Sequence, residues 1–223
     1  MILAGVDYSI NSPAMAVLDV DGEMSKCFPI NEVVVCVVNK RIKKQDIINN
    51  RTVVIPYIMF KNNIERFDKL SNIFLSFLDP ICDKDEKYVA IENYSYGSRG
   101  RAILQIAENV GLLKQKLYLK GCNIRLYEPT YIKKFATDDG RANKEKMGIE
   151  LLSRFNYELD INVGLENNPT SDIVDAIWIL YLLWSELKVR RGLEEGLLDR
   201  ERLFIKTKTN KKEAILNQDF IKM

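Results

Sequence analysis

Histidine is absent from all 223 residues. That absence excludes serine and cysteine hydrolases with a histidine base, zinc enzymes built on His-Glu-x-x-His, and nucleases that use a histidine base. A catalyst made from this chain and working near neutral pH must move protons with carboxylates, lysines or metal-bound water. Hard oxygen ligands in turn select Mg²⁺ or Mn²⁺. Cysteine is also scarce. Cys27, Cys36, Cys82 and Cys122 are scattered without a CxxC pair, which argues against a zinc ribbon and a disulfide framework and for a reducing compartment. The four thiols read as small buried hydrophobes. Long apolar runs are missing too. The longest, Ala176 to Trp184, is about half a bilayer span, and the Met-Ile-Leu-Ala-Gly start lacks the basic region of a signal peptide. A cytoplasmic protein without a membrane partner is the expectation, in the host cytoplasm if the source is a phage or virus.

What is present is ordinary in amount and uneven in placement. A hydrophobic content of 47% and a charged content of 29% suit a globular chain, and the length suits one compact domain with additions. The formal net charge is only +2. Between Arg99 and Lys146, however, eleven basic residues face five acidic ones, whereas 22 basic and 26 acidic residues make up the rest. Such a concentration is either a solvated face or the footprint of a phosphate-binding surface.

Residues 2–8 form an apolar strand pattern ending on an acid. Pro13 to Asp19 is a second strand, followed by the Asp21-Gly22 turn signal. Residues 24–60 hold two β-rich runs, Val33 to Val38 and Thr52 to Phe60, separated by a basic stretch around Arg41 to Lys44. Apolar residues at helical spacing predict a helix over 64–78. Tyr88 to Glu92 is another buried strand ending on an acid. Arg101 to Leu119 reads as a long helix closed by Lys120-Gly121, Asn123 to Tyr127 as a strand, and 130–136 and 143–155 as helices. A last helix runs from Asp172 to Leu187, with Ser171 as a plausible N-cap. The tail after Lys188 is charged and weakly patterned. Strands first, then strands alternating with helices, imply a mixed sheet flanked by helices.

Four acids stand out in this pattern. Asp7 and Glu92 each end a strand, and Asp172 and Asp175 lie three apart on one helix face. Sites in open α/β sheets assemble at the carboxyl ends of strands. Four carboxylates gathered there repel one another unless cations of high charge density bind between them. Two such ions suit phosphodiester hydrolysis. Taken singly, a strand-ending Asp is an ordinary turn residue and Asp172 an ordinary helix-start acid; the ordered set carries the argument.

The set resembles the RuvC-like Holliday-junction resolvases. Ala4-Gly-Val-Asp7-Tyr-Ser9 is similar to the family's first strand with its leading catalytic Asp, and Val89-Ala-Ile-Glu92-Asn93 to the strand carrying its Glu. Tyr127-Glu-Pro-Thr-Tyr-Ile-Lys133 through Gly140-Arg-Ala-Asn-Lys144-Glu-Lys-Met147 resembles the family's P-x-x-[IV]-K and T-x-x-G-x-A-x-K-E segments. Asp172-Ile-Val-Asp175-Ala176 resembles its closing D/H-x-x-D-A. The match covers residues 1–20 and about 88–187; residues 21–60 look longer than in the bacterial enzymes, and the tail has no counterpart.

The resemblance implies an α/β, ribonuclease H-like fold with a five-stranded mixed sheet flanked by helices. It implies a nuclease domain over 1–187, enlarged at 21–60, and a charged extension over 188–223. It implies a Mg-dependent endonuclease (two ions per site, with Mn²⁺ able to substitute) that resolves four-way DNA junctions as a homodimer. Asp7, Glu92, Asp172 and Asp175 would be the metal ligands, and Lys144 would join them as a catalytic residue. Lys133 and Lys144 would contact DNA or the scissile phosphate, Tyr94 or Tyr96 would stack at the junction core, and Arg99 and Arg101 would hold backbone phosphates. The helix Arg101 to Leu119, apolar all round, is the candidate dimer contact. Open alternatives are a related nuclease acting on flaps, forks or structured RNA, a catalytically inactive junction-binding protein, and an actin-like or sugar-kinase-type ATPase. The last would need a glycine-rich phosphate loop where this hairpin carries Asn11-Ser12-Pro13.

Overall fold

The structure, a computed structural model, describes residues 1–20, 22–48, 50–57, 59–78, 86–94, 101–157, 169–207 and 213–222; at Arg101 and Ala102 it describes the backbone only. Among the described residues seven strands form one mixed sheet: β1 (Ile2–Asp7), β2 (Ala14–Asp19), β3 (Val34–Asn39), β4 (Asp46–Ile48), β5 (Thr52–Pro56), β6 (Lys87–Glu92) and β7 (Asn123–Tyr127). Their order across the sheet is β4-β5-β3-β2-β1-β6-β7. β1 pairs antiparallel with β2 and parallel with β6, and β6 pairs parallel with β7. The expected count of five strands is therefore too low. The extra width comes from the 21–60 segment, where β5 adds parallel to β3 and β4 folds back antiparallel on β5. β4 escaped the sequence pattern because it is three residues long and mostly exposed. Asn50, at φ 57°, helps turn the chain there in a left-handed conformation that Asn tolerates.

Strand parity decides which helices cover which residues. Ile2, Ala4 and Val6 of β1 face one side, with Met15, Val17, Val89 and Ile91, and are covered by α1 (Asn63–Leu78) and α2 (Arg101–Leu119). Leu3 faces the other, with Ala14, Ala16 and Ala90, under α3 (Pro129–Thr137), α4 (Lys144–Phe155) and α5 (Thr170–Arg190). By the same parity Asp7 and Glu92 belong to the α5 side. α5 is buried almost throughout its length, which explains its unpatterned apolar sequence. It packs first against β1, and Gly5 makes that possible. A Cβ at Gly5 would lie 2.2 Å from the backbone nitrogen of Leu180 and 2.4 Å from the carbonyl oxygen of Ala176.

The other expected strands and helices are present with adjusted ends. α5 begins at Thr170 rather than Asp172, and its N-cap is Pro169, without a side-chain capping bond. Ser171 therefore lies inside the helix. α4 is capped by Asn143, whose side chain accepts from the Lys146 N–H at 2.8 Å. After α5 the chain forms α6 (Asp199–Lys206) and returns to the sheet, where Ile221 bridges Ile124. Cys36 and Cys122 are buried as expected, but Cys27 is exposed; Cys82 lies outside the described residues. Among the described residues no helix is long and apolar enough to cross a membrane.

Candidate active site

Three elements bring the four acids together. Val6 of β1 pairs with Ile91 of β6 in parallel register, so Asp7 and Glu92 end neighbouring strands side by side. Close packing at Gly5 delivers the first two turns of α5, with Asp172 and Asp175, over the same strand ends. Asp7 and Asp172 are buried, at 8% and 2% exposure. The electrostatics record their proximity. Burial raises the Asp7 carboxyl well above its ordinary value, and the charges of Glu92, Asp175 and Asp172 raise it further. Burial and then the Asp175 charge push Glu92 up to about 7. Burial pushes Asp175 up to about 6. Asp172 is raised by burial as well, with the Ser12 hydrogen bond and Lys144 acting against it.

One ammonium opposes this accumulation directly. Lys144 opens α4 behind the Asn143 cap, and its Nζ lies 3.5 Å from Asp172 Oδ1 and 4.0 Å from Asp175 Oδ2. It donates to Ser171 Oγ at 2.9 Å. Lys133, half-buried on α3, lowers the pKa of both Glu92 and Asp175, so its charge is also felt in the site. As the side chains stand, no three acids among the described residues converge on a point that could hold an ion. The chemistry of the donor set nevertheless fits a hard divalent cation. All four groups are carboxylates destabilised in their charged form, Asp7 and Asp172 buried and Glu92 and Asp175 half-buried, and the chain has no histidine to compete.

Of the other expected contacts, only the Tyr94 side chain lies among the described residues. Tyr94 is half-buried against α2, where its hydroxyl donates to the Ala107 carbonyl at 3.4 Å and accepts from Lys114 at 3.2 Å. Tyr96 and Arg99 lie outside the described residues. Arg101 begins α2, but its side chain is likewise outside them.

Two residues of the site were not anticipated. Ser12, 1% exposed, donates from Oγ to Asp172 Oδ2 at 2.5 Å. Asn39, 5% exposed at the end of β3, donates from Nδ2 to Ser12 Oγ at 2.5 Å. This buried chain of donors fixes one carboxylate oxygen of Asp172 and leaves the other to face Lys144. Ser12 lies 160 residues from Asp172 in a loop without periodicity, so only its adjacency to the Asp7 strand offered any signal.

No family model matches the sequence. Among curated proteins, the chain is 31% identical over 114 residues to the crossover junction endodeoxyribonuclease RuvC of Helicobacter pylori strain J99, covering 51% of this chain and 68% of that protein. It is 29% identical over 113 residues to the protein of the same name from Helicobacter acinonychis, covering 50% and 68%. Among solved structures, Thermus thermophilus RuvC superposes with a TM-score of 0.55 at 17% identity, covering 88% of this chain and all of that one. The same protein in complex with a Holliday junction substrate gives a TM-score of 0.57, also at 17% identity, over 88% and 99%. The two superpositions establish a shared fold.

Proposed function

This chain belongs to the RuvC family of crossover junction endodeoxyribonucleases, and on that premise we propose that its carboxylate cluster cuts four-way DNA junctions by metal-dependent phosphodiester hydrolysis. The observation that carries the reading is that Asp7 and Glu92, on neighbouring strand ends, lie close enough to Asp172 and Asp175 near the start of α5 for their charges to act on one another, each held above its ordinary pKa. Buried carboxylates arranged this way cost stability in their charged form and return it when a cation binds.

Asp7, Glu92, Asp172 and Asp175 would hold Mg²⁺ or Mn²⁺. A bound divalent cation would supply charge neutralisation and an acidified water for attack on phosphorus. The chain's own residues do the rest. Ser12 and Asn39 hold the Asp172 carboxylate in one orientation. Lys144, with its Nζ between Asp172 and Asp175, stands where an ammonium can leave the carboxylates for a phosphate oxygen and stabilise charge that develops there. Lys133 adds a second positive charge on the approach side. Tyr94, Tyr96, Arg99 and Arg101 are the DNA contacts proposed around this centre.

The working unit proposed is a homodimer. A four-way junction has approximate two-fold symmetry, and one chain supplies one carboxylate set, so paired symmetric cuts call for two chains related by a two-fold axis. α2 buries Val110, Leu113 and Leu117 within its own domain but leaves Leu104 and Leu119 at 64% and 68% exposure. Its exposed face, Leu104, Glu108, Gln115 and Leu119, is the surface proposed to meet a partner copy.

The test is a cleavage assay with Mg²⁺ that compares four-way, forked, flap and linear duplex substrates. Symmetric nicks in the four-way junction, abolished by EDTA and by Asp7→Asn, are the expected result. Preferential cutting of flaps or forks would move the substrate to another branched DNA, and cleavage that survives EDTA would overturn the mechanism.

A further inference from the structure

Away from the carboxylates, β3, β5 and the start of α1 enclose an open cleft lined by Lys40, Tyr57, Met59, Phe60, Lys61 and Arg66, among others. Its floor is aromatic. Tyr57 and Phe60 meet edge to face, with centroids 5.2 Å apart, and the Lys40 ammonium stands 5.1 Å from the Tyr57 ring centroid. Met59 projects at its rim, 93% exposed. No acidic side chain lines the cleft among the described residues. Glu65, which follows it on α1, is committed elsewhere, accepting from the Lys61 N–H at 2.7 Å and pairing with Lys69 at 2.7 Å. Arg66 reaches Gln105 Oε1 only at 3.5 Å, and its buried Nε finds no hydrogen-bond partner among the described residues. Three cations facing one opening without a counter-charge make a site for an anion.

The cleft is also tied to the carboxylates. Ala14 pairs with Asp7 on one side and with Val37 on the other, so the end of β3 runs beside the site two strand spacings away, roughly 10 Å. Lys40 follows directly. Asn39 anchors the junction. Its carbonyl accepts from the N–H groups of Ile42 and Tyr57, both at 3.2 Å, and its Oδ1 accepts from Arg41 N–H at 2.8 Å. The same side chain donates through Ser12 to Asp172. The cleft backbone and the Asp172 carboxylate are thus held in register by one buried residue. An extended polyanion would need such a register to lie in both places at once.

We propose that this cleft binds the phosphodiester backbone of a substrate DNA arm, at phosphates beyond the one being cut. Lys40, Lys61 and Arg66 supply the cations, and Met59 and Phe60 pack against the sugars. The assignment deepens the nuclease reading given above and rests on it. It also gives the enlarged 21–60 segment and its neighbour a purpose: the Lys40 to Lys44 stretch carries four basic residues in five and broadens the basic surface beside the cleft.

The test uses Lys40→Ala/Lys61→Ala, both exposed positions, with fluorescence anisotropy on a labelled four-way junction and a labelled linear duplex in EDTA over a range of salt. Loss of two phosphate contacts should make the slope of log affinity against log salt shallower by about 1.8, and weaken binding roughly tenfold at low salt. The charge-retaining variant Lys40→Arg/Lys61→Arg should restore the slope. An unchanged slope and affinity on both DNAs would overturn the cleft. A wild-type protein that shows the expected slopes yet cuts no DNA would overturn the nuclease reading instead and leave the cleft standing.

Discussion

The two ends of α5 carry buried acids in opposite circumstances. At its C-terminal end Glu186 is fully buried and surrounded by donors. Arg125 reaches it with Nε at 3.0 Å and Nη2 at 2.8 Å, Arg190 Nε at 2.8 Å, and the Tyr127 hydroxyl at 2.5 Å. Two guanidiniums and a phenol serve one carboxylate. At the N-terminal end four carboxylates share the field of Lys144 and, more distantly, Lys133, and their pKa values climb accordingly. Both clusters draw on the same helix, and Asp7, Asp172 and Glu186 are all buried. The difference teaches what each is for. A compensated buried acid holds the fold together, whereas an uncompensated cluster stores repulsion that a cation can relieve.

Single substitutions at the two ends should therefore part company. Asp7→Asn removes a charge from the crowded end, so the melting temperature should hold or rise while strand cleavage falls about a thousandfold or more, the scale of several kcal/mol in the transition state. Glu186→Ala strands Arg125, 3% exposed, and should cost on the order of 3–5 kcal/mol of stability. Chemical denaturation beside single-turnover kinetics reads both. If Asp7→Asn unfolds the protein and Glu186→Ala does not, the contrast is wrong.

Gly5→Ala tests how the crowded end is assembled. A methyl group 2.2 Å from the Leu180 nitrogen must push α5 off β1. We expect a loss of about 1–3 kcal/mol or more, accompanied by loss of cleavage because Asp172 and Asp175 move with the helix. Normal stability and normal cleavage together would show that the close approach is dispensable.

Ser12→Ala is subtler. It frees one oxygen of Asp172 without removing a carboxylate. The Mg²⁺ concentration for half-maximal cleavage should rise roughly 10–100-fold, the usual effect of deleting an outer partner of a ligand. Junction affinity in EDTA should not change, and Ser12→Thr should recover most of the loss. Equal weakening of DNA binding would make Ser12 a general structural residue.

The smallest effect is a pH trend. Glu92 at about 7 and Asp175 at about 6 hold protons that the unfolded chain, with ordinary values of 4.5 and 3.8, has already released. Metal-free stability contributed by these groups is therefore lost as pH rises from about 4 to about 7. Melting temperatures in EDTA should be a few degrees lower at pH 8 than at pH 5, and Mg²⁺ should raise the pH 8 value more than the pH 5 value. A metal-free protein that becomes more stable across that interval would contradict the account.

Much of this was legible in the residues. Asp7 and Glu92 ended apolar strand patterns, and the assembly of sites at the carboxyl ends of strands in such sheets marked them as partners. Asp172 and Asp175 were marked by their spacing on a strongly apolar helix. The sheet width was not legible, because β4 is too short and too exposed to leave an alternating signature. Ser12 and Asn39 were invisible for a different reason: a hydrogen bond between a loop, a strand end and a helix 160 residues away depends on tertiary placement. The same holds for Arg125, an arginine in the middle of an otherwise apolar strand whose partner lies on the far end of α5.

Arg125 also ties the segment 215–221 to β7 at the edge of the sheet. Its Nη1 donates to the carbonyls of Gln218 at 3.1 Å and Asp219 at 3.2 Å, and its Nη2 to that of Ile215 at 2.6 Å. Arg190 Nη2 adds Gln218 at 2.6 Å, and Ile124 and Ile221 exchange backbone hydrogen bonds of 2.9 Å in both directions. Lifting this segment away would expose a buried guanidinium half-stripped of acceptors. The last strand of the sheet and the returning tail should accordingly open as one cooperative unit, and in hydrogen exchange the Ile124 and Ile221 amides should trade their protons for deuterons at a common rate.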